Sequence, residues 1–320
     1  MRQAKPEEIK RFYREEWNKR DLPDFITHTL SLREFGFDLD GSGPNHRYHQ
    51  FLTVEQLEEF LRYRAPYSAY ASVALYENPR KREGWLKADL VFDIDAKDLP
   101  LKSCGCPQGQ VCYQCIEDAK RVAVEFSDVI RRDLGFRRIV FVYSGRGFHL
   151  RVLDESAMRL EHNERQQLVA YVTGAVVPTD LALSLGYSKV FRERAAKTLS
   201  ALDDQRLRKI LRGKRAFQSL LRFKDKVVEG LKMGDMDSVL SLEGIGVGTL
   251  EALLTGLAKI NSELTDGKVT VDTKRILRLP SSLHSGVSRK CVVVRRLDSF
   301  SPDDAVPRFL MEAEAGDPHN

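Results

Sequence analysis

Along this chain, stretches that alternate apolar and polar residues take turns with stretches whose apolar positions recur every three or four residues. That order predicts the elements. Residues 1–30 predict a helix ending in a polar loop. SLREFGFDL and NHRYHQF predict short strands, with turn residues in DGSGPN between them. VEQLEEFLRYRAP predicts a helix stopped by Pro66, and YSAYASVALYE has the composition of a strand. LKADLVFDID predicts another strand; a cysteine-bearing loop follows, then a helix near Cys115–Leu134. RRIVFVYSGRGFHLRVL reads as two strands around a glycine turn. From about Leu181 to Leu264 the texture changes to charged, leucine-spaced helices, after which KVTVDTKRILRLP and KCVVVRRLD return to strands. The tail MEAEAGDPHN is expected to fray.

Strands, a helical interruption and a return to strands predict an α/β or α+β fold. Residues 1–180 form the first part of the core, with a compact cysteine knuckle at 103–116. Residues 181–264 form an inserted helical subdomain, and 265–320 bring the chain back to the core and its tail. The length of 320 residues, with 42% hydrophobic and 30% charged residues, suffices for such a core plus an insert. The net charge of +5 is compatible with a polyanionic partner without identifying one. The charged start MRQAKPEEIKRFYREEW lacks the apolar segment of a signal peptide, and no apolar run has membrane-spanning length. A soluble, cytoplasmic protein with no membrane partner is the expectation.

VFDIDAKD (Val91–Asp98) sets two acids one residue apart in an apolar strand. Side chains alternate along a strand, so Asp93 and Asp95 share one face while Phe92 and Ile94 point into the core. Two carboxylates on one face repel unless a cation lies between them, and a hard ion such as Mg²⁺ or Mn²⁺ takes their oxygens directly. Alone, the pair reads sooner as a surface turn at a strand end whose acids cap the next segment. Its company changes the balance. VTVD closes a β-rich run at Asp272, which suits a third ligand. Metals held by such acids activate a hydroxyl nucleophile and stabilise a departing oxygen in phosphoryl transfer. SGRGFH places Ser144, Arg146 and His149 around a glycine turn, either an ordinary hairpin or an anion nest with a guanidinium for phosphate. RLPSSLHSG adds Arg278, Ser282 and His284, either a proline-broken loop or a second phosphate site.

Cys104, Cys106, Cys112 and Cys115 have the spacing C-x-C-x₅-C-x₂-C, with glycines and a proline supplying turns. Four thiolates in so short a loop can close a tetrahedral Zn²⁺ site of structural type, with an Fe–S cluster as the alternative. Cys291, in the apolar run KCVVVRRL, reads as a small core residue. Between Arg206 and Lys226 nine Lys or Arg residues accompany one acid, Asp225, which reads either as a phosphate-contacting stripe or as a solvated helix face. LEGIGVGTLEALL faintly resembles a helix-hairpin-helix, against the default of a capped helix turn.

Taken in order, REFGF, RYHQF, RAPYSAYASVALYE leading to LVFDIDAKD, the cysteines, SGRGFHLRV, VTVDTKRILRLPSSLH and VPRF resemble the small, catalytic subunit of the archaeal–eukaryotic DNA primases, in its archaeal form. The resemblance implies a prim-fold core of mixed sheets flanked by helices. It implies three metal-binding aspartates, by motif Asp93, Asp95 and Asp272, and triphosphate contacts from Ser144, Arg146, His149, Arg278 and His284. The chain departs from the pattern twice. The glycine turn has one residue fewer before Arg146, and Gly286 stands where the family often has lysine, leaving Arg289 or Lys290 as substitutes. The implied function is a nucleotidyltransferase, a DNA primase with DNA-directed polymerase activity. It would copy single-stranded DNA into short primers from nucleoside triphosphates, using Mg²⁺ or Mn²⁺ for catalysis and Zn²⁺ for structure. The implied partner is a primase large subunit bearing an Fe–S cluster, for which this chain has too few cysteines beyond the zinc set. The alternatives are a non-catalytic, zinc-bearing nucleic-acid-binding subunit and a metal-dependent nuclease using the same acids.

Overall fold

The computed structural model of the protein describes residues 1–107 and 109–315. It has an α+β architecture in which all strand pairings among the described residues are antiparallel. The N-terminal stretch is less regular than one helix. Helix α1 (Pro6–Arg11) widens into a π-type turn at Phe12–Glu16, and α2 (Asp24–Thr27) follows after short turns. Ile9, Phe12, Tyr13 and Trp17 are all buried there in one cluster, and packing these side chains wins over regular helix geometry.

One four-stranded sheet has the order β2-β1-β3-β9, from β1 (Phe35–Asp38), β2 (His46–His49), β3 (Ser68–Ser72) and β9 (Ile276–Arg278). Helix α3 (Val54–Arg64) connects β2 to β3. Thr53 caps it by accepting the Gln56 amide, and Leu57 and Leu61 turn to the core. It ends with Ala65 in a left-handed conformation just before Pro66.

YSAYASVALYE and LKADLVFDID are each broken where one continuous strand was expected. The first divides into β3 and β4 (Ala74–Asn78), the second into β5 (Glu83–Ala88) and β6 (Leu90–Asp95). The breaks at Val73 and Asp89 are bonded to each other, Asp89 N–H donating to Val73 O at 2.9 Å. The cause is a buried charge cluster. Arg33 and Arg151 reach the Asp89 carboxylate at 3.1 and 2.6 Å, and Arg33 also donates to the Ser72 carbonyl. Satisfying a buried carboxylate in this way outweighs the ladder bonds lost at the break. β4 and β5 then form a separate hairpin.

The second four-stranded sheet has the order β12-β7-β8-β6, with β7 (Ile139–Tyr143), β8 (Gly147–Val152) and β12 (Val292–Val294). Helix α4 (Tyr113–Asp133) lies on it, its apolar stripe Ile116, Ala119, Ala123, Phe126 and Ile130 meeting Phe92, Ile94 and Leu150 in one core. Phe92 meets Phe126 edge-to-face at 5.8 Å. Helices α5 (Glu155–Met158) and α6 (His162–Thr173) follow β8. Then come α7 (Gly186–Ala201), α8 (Asp204–Ile210), α9 (Lys214–Met233), α10 (Met236–Leu240) and α11 (Val247–Ser262), which bury a core of their own around Phe191, Leu199, Leu220, Leu231 and Leu254.

KVTVDTKRILRLP is not one strand. Gly267–Val271 is a short helix, α12, and only Ile276–Arg278 is extended. Alternation predicts β here, but Asp266 caps the helix by accepting the Lys268 amide at 3.0 Å, and Val269 and Thr270 are buried. Tertiary contact overrides the weak β propensity of three residues. A short hairpin of β10 (Leu283–His284) and β11 (Arg289–Lys290) precedes β12. Of the tail expected to fray, Met311–Ala315 belong to helix α13 (Arg308–Ala315), and residues 316–320 lie outside the described residues. No helix among the described residues is long and apolar enough to cross a membrane.

Candidate active site

β6 and β8 pair so that Asp93 faces His149 and Asp95 faces Gly147. The close approach at the second pair needs glycine, because a Cβ on Gly147 would come within 2.2 Å of the Ile94 carbonyl oxygen. Leu90, Phe92 and Ile94 fill the core below, so the two acids stand on the opposite face, each about a quarter exposed. His149 Nε2 lies 3.5 Å from Asp93 Oδ1, and Arg146 Nη2 lies 2.9 Å from Asp95 Oδ2.

The third acid at this site is Asp266, which sequence reasoning missed. Its amide donates to the Asp93 carbonyl at 3.0 Å, and Thr265 Oγ1 donates to the same oxygen at 2.7 Å. Asp93 records the crowding, its pKa pushed up to about 7 by burial first, then by Asp95 and Asp266, with Arg146 and Arg275 opposing. Asp272 instead sits exposed at the C-terminal cap of α12, where its carboxylate accepts the Lys274 amide and lies 3.6 Å from Arg275 Nε. It lines an open groove of about 670 Å³ with His162, Gln166 and Lys268. A DG pair before a short run reads only as a turn, so no periodicity could have singled out Asp266.

The glycine turn after β7 and the loop after β9 meet. Gly145, at φ +100°, packs so closely on His284 that a Cβ would lie 2.7 Å from the histidine's own. Ser144 closes the turn, its amide and hydroxyl both donating to the Gly147 carbonyl. Arg278 pairs across β9 and β3 with Tyr70, lies 5.3 Å from the ring centroid and donates to Ser68 Oγ at 2.9 Å. Burial, followed by the charges of Arg151 and Arg278, pushes the His149 pKa down to about 3. Burial, then Arg278 and Arg146, takes His284 well below its ordinary value. Both imidazoles are therefore neutral. His149 Nδ1, His284 Nδ1 and Arg146 Nε are buried with no protein partner. Polar atoms left open among cations are a fitting receptacle for an anionic ligand with many oxygens.

Other residues of these loops face elsewhere. Ser282 is buried and donates to the Leu279 carbonyl. Arg289 donates to the Tyr113 hydroxyl and Lys290 pairs with Glu16, so both are already engaged by the protein. Within the basic stripe, Lys224 donates to the Leu202 carbonyl, Arg206 to the Pro100 carbonyl, Arg208 covers Phe217 and Arg222 pairs with Glu243. Lys209, Arg212, Lys214, Arg215 and Lys226 remain exposed.

Cys104, Cys106, Cys112 and Cys115 converge, with sulfur atoms all within 4.8 Å of one another. Cys115 lies 3.3 Å from Cys104 and 3.8 Å from Cys112, close to the roughly 3.8 Å edge of a tetrahedral thiolate site. The Cys112 thiol is lowered to about 7, chiefly by its backbone hydrogen bond to Cys115. This group can hold a metal ion. Cys291 is fully buried and stands apart from it.

Residues 92–297 match the family model described as DNA primase small subunit. The chain is 43% identical to the DNA primase small subunit PriS of Methanothermobacter thermautotrophicus, covering 97% of this chain and 98% of that protein. It is 43% identical to the PriS of Thermococcus sibiricus (95% and 92%) and 39% identical to that of Pyrococcus furiosus (97% and 94%).

Proposed function

The chain belongs to the family of DNA primase small subunits, and from that membership we propose that it is the catalytic subunit of a primase, transferring nucleotides onto a growing primer on a single-stranded DNA template. The observation that carries this reading is the convergence of Asp93, Asp95 and Asp266 beside Arg146, His149, Arg278 and His284. Acids alone would suit many hydrolases. Acids facing two arginines and two neutral imidazoles with unpartnered ring nitrogens suit a reaction that consumes a triphosphate.

In this reading Asp93, Asp95 and Asp266 hold Mg²⁺ or Mn²⁺, and Asp272 lies outside the set. The hard donor set and the raised Asp93 pKa fit a divalent cation, which when bound supplies Lewis-acid stabilisation of the reacting phosphate oxygens. Arg278 and Arg146 offer forked guanidinium donors to the triphosphate, and neutral His149 and His284 each offer one N–H. Gly145 and Gly147 bring the second phosphate loop and the acid strand within reach of the same ligand. The Cys₄ group holds Zn²⁺ and braces the start of α4 against the acid strand. The relatives' name as small subunits supports assembly with a large subunit.

Extension of an annealed primer and unprimed synthesis on single-stranded DNA test the reading, with ribo- and deoxynucleotide pools supplied separately in Mg²⁺ or Mn²⁺. Template-dependent addition is the expected result. Binding without addition would reduce the chain to a nucleic-acid-binding subunit, and degradation of the template would make it a nuclease.

A further inference from the structure

At the outer edge of the first sheet, Tyr48 faces solvent in a conformation that core packing does not require. It is 47% exposed, with its backbone at φ 68°. A left-handed conformation is unfavourable for a non-glycine residue. Glu34 holds it there. That buried carboxylate takes two bonds from Arg47, at 2.6 and 3.0 Å, and accepts the Tyr48 amide at 3.3 Å. From the β4–β5 hairpin, Arg82 donates to the Tyr48 hydroxyl at 3.3 Å, and its guanidinium lies 5.1 Å from the ring centroid. Arg80 and Lys81, both exposed, complete a run of three cations in that turn, none ion-paired among the described residues.

This surface continues into the candidate active site. Arg47 lies over Gly36, where a Cβ would meet its Cδ at 3.2 Å. Gly36 pairs with Tyr70 across β1 and β3, and Tyr70 pairs with Arg278 across β3 and β9. A row of residues on one sheet face thus joins Tyr48 to the triphosphate loops.

We infer that single-stranded template crosses this edge, a base stacking on Tyr48 while its phosphates follow Arg80, Lys81 and Arg82. The inference rests on the primase reading for the identity of the strand as template. An exposed aromatic beside three cations that lack ion pairs matches the stacking and charge that bind single strands without reading sequence. Paired bases in a duplex offer no free face to such a ring.

Anisotropy of a labelled oligodeoxythymidine tests it without requiring catalysis. Tyr48→Gly and Tyr48→Asn both suit the left-handed backbone, so they should melt no lower than the wild type while losing roughly five- to a hundredfold in oligonucleotide affinity. Tyr48→Phe should stay within about threefold. Lys81→Gln and Arg82→Gln should each flatten the log–log salt dependence by roughly 0.7. Nucleotide affinity, titrated without DNA, should not change. With the wild-type protein, 2-aminopurine in the oligonucleotide should change fluorescence on binding, and Tyr48→Gly should abolish that change. Wild-type affinity in Tyr48→Gly, or a loss confined to nucleotide binding, overturns the inference. Tyr48-dependent binding in a chain that extends no primer would keep this surface and overturn the primase reading. Active extension with no Tyr48 effect would do the reverse.

Discussion

At the cysteine loop every donor comes from one short stretch, and the turns between Cys104 and Cys115 bring the four sulfurs together almost unaided. At the acid cluster two carboxylates lie on β6, while a third, that of Asp266, arrives at the start of α12, its segment held by hydrogen bonds to the Asp93 backbone. The first site is local and closed, its four sulfurs within 4.8 Å of one another. The second is assembled by the whole fold and crowds three carboxylates, and Asp93 answers by holding its proton up to about pH 7. A locally built site is suited to bracing the chain. A site built from distant segments forms only when the fold is complete, and it keeps open positions for a substrate.

Replacing an acid should test the contrast most severely. Asp93→Asn with Asp95→Asn, or Asp266→Asn alone, should lower nucleotide addition by about a thousandfold or more, roughly 4 kcal/mol in the barrier, without unfolding the chain. Primer extension together with circular dichroism checks this, and wild-type rates in Asp266→Asn would remove it from the site.

At the cysteine loop the loss should appear in stability instead. Purified protein should contain about one zinc, and Cys112→Ser should cost roughly 3–5 kcal/mol because metal binding there contributes to folding. Cys291→Ser should cost about 1–2 kcal/mol for a buried hydroxyl. Elemental analysis and denaturant titration decide it, and iron in place of zinc would contradict it.

The metal-free acid site should also show in pH dependence. Asp93 in the fold holds its proton to about pH 7, far above the ordinary 3.8, so the folded chain binds that proton more tightly than the unfolded one. Its contribution is therefore most favourable at low pH and is lost as pH rises from about 4 to 7, on the order of 2–4 kcal/mol. Chelated wild type minus Asp93→Asn, melted across that range, should show this fall, and added Mg²⁺ or Mn²⁺ should reverse it. Parallel curves for the two proteins would show that Asp93 is not crowded.

Smaller effects are expected at the loops carrying Arg278 and His284. Arg278→Ala and His284→Ala should each weaken nucleotide binding by about 1.5–3 kcal/mol and leave template binding nearly intact, as separate titrations would show. Asp272→Asn, exposed and paired only with its neighbours, should change activity and stability by no more than about 0.5 kcal/mol. A large loss there would return Asp272 to the metal set and overturn the assignment of Asp266.

Strand alternation was enough to put Asp93 and Asp95 on one face, and the glycines of SGRGFH to place a turn, because both depend on neighbours along the chain. The cysteine group was legible for the same reason, and so were the leucine-spaced helices after Leu181. What alternation could not reveal was the break of two long strands at Val73 and Asp89, imposed by Arg33 and Arg151 from other segments. Nor could it show that VTV coils into α12, so that the acid opening this segment, not the one closing it, meets Asp93. The sequence by itself determined the local turns, the alternation of faces and the chemistry on offer. The tertiary structure decided which charges met, because burial and the pairing of distant groups are properties of the assembled core and no short window contains them.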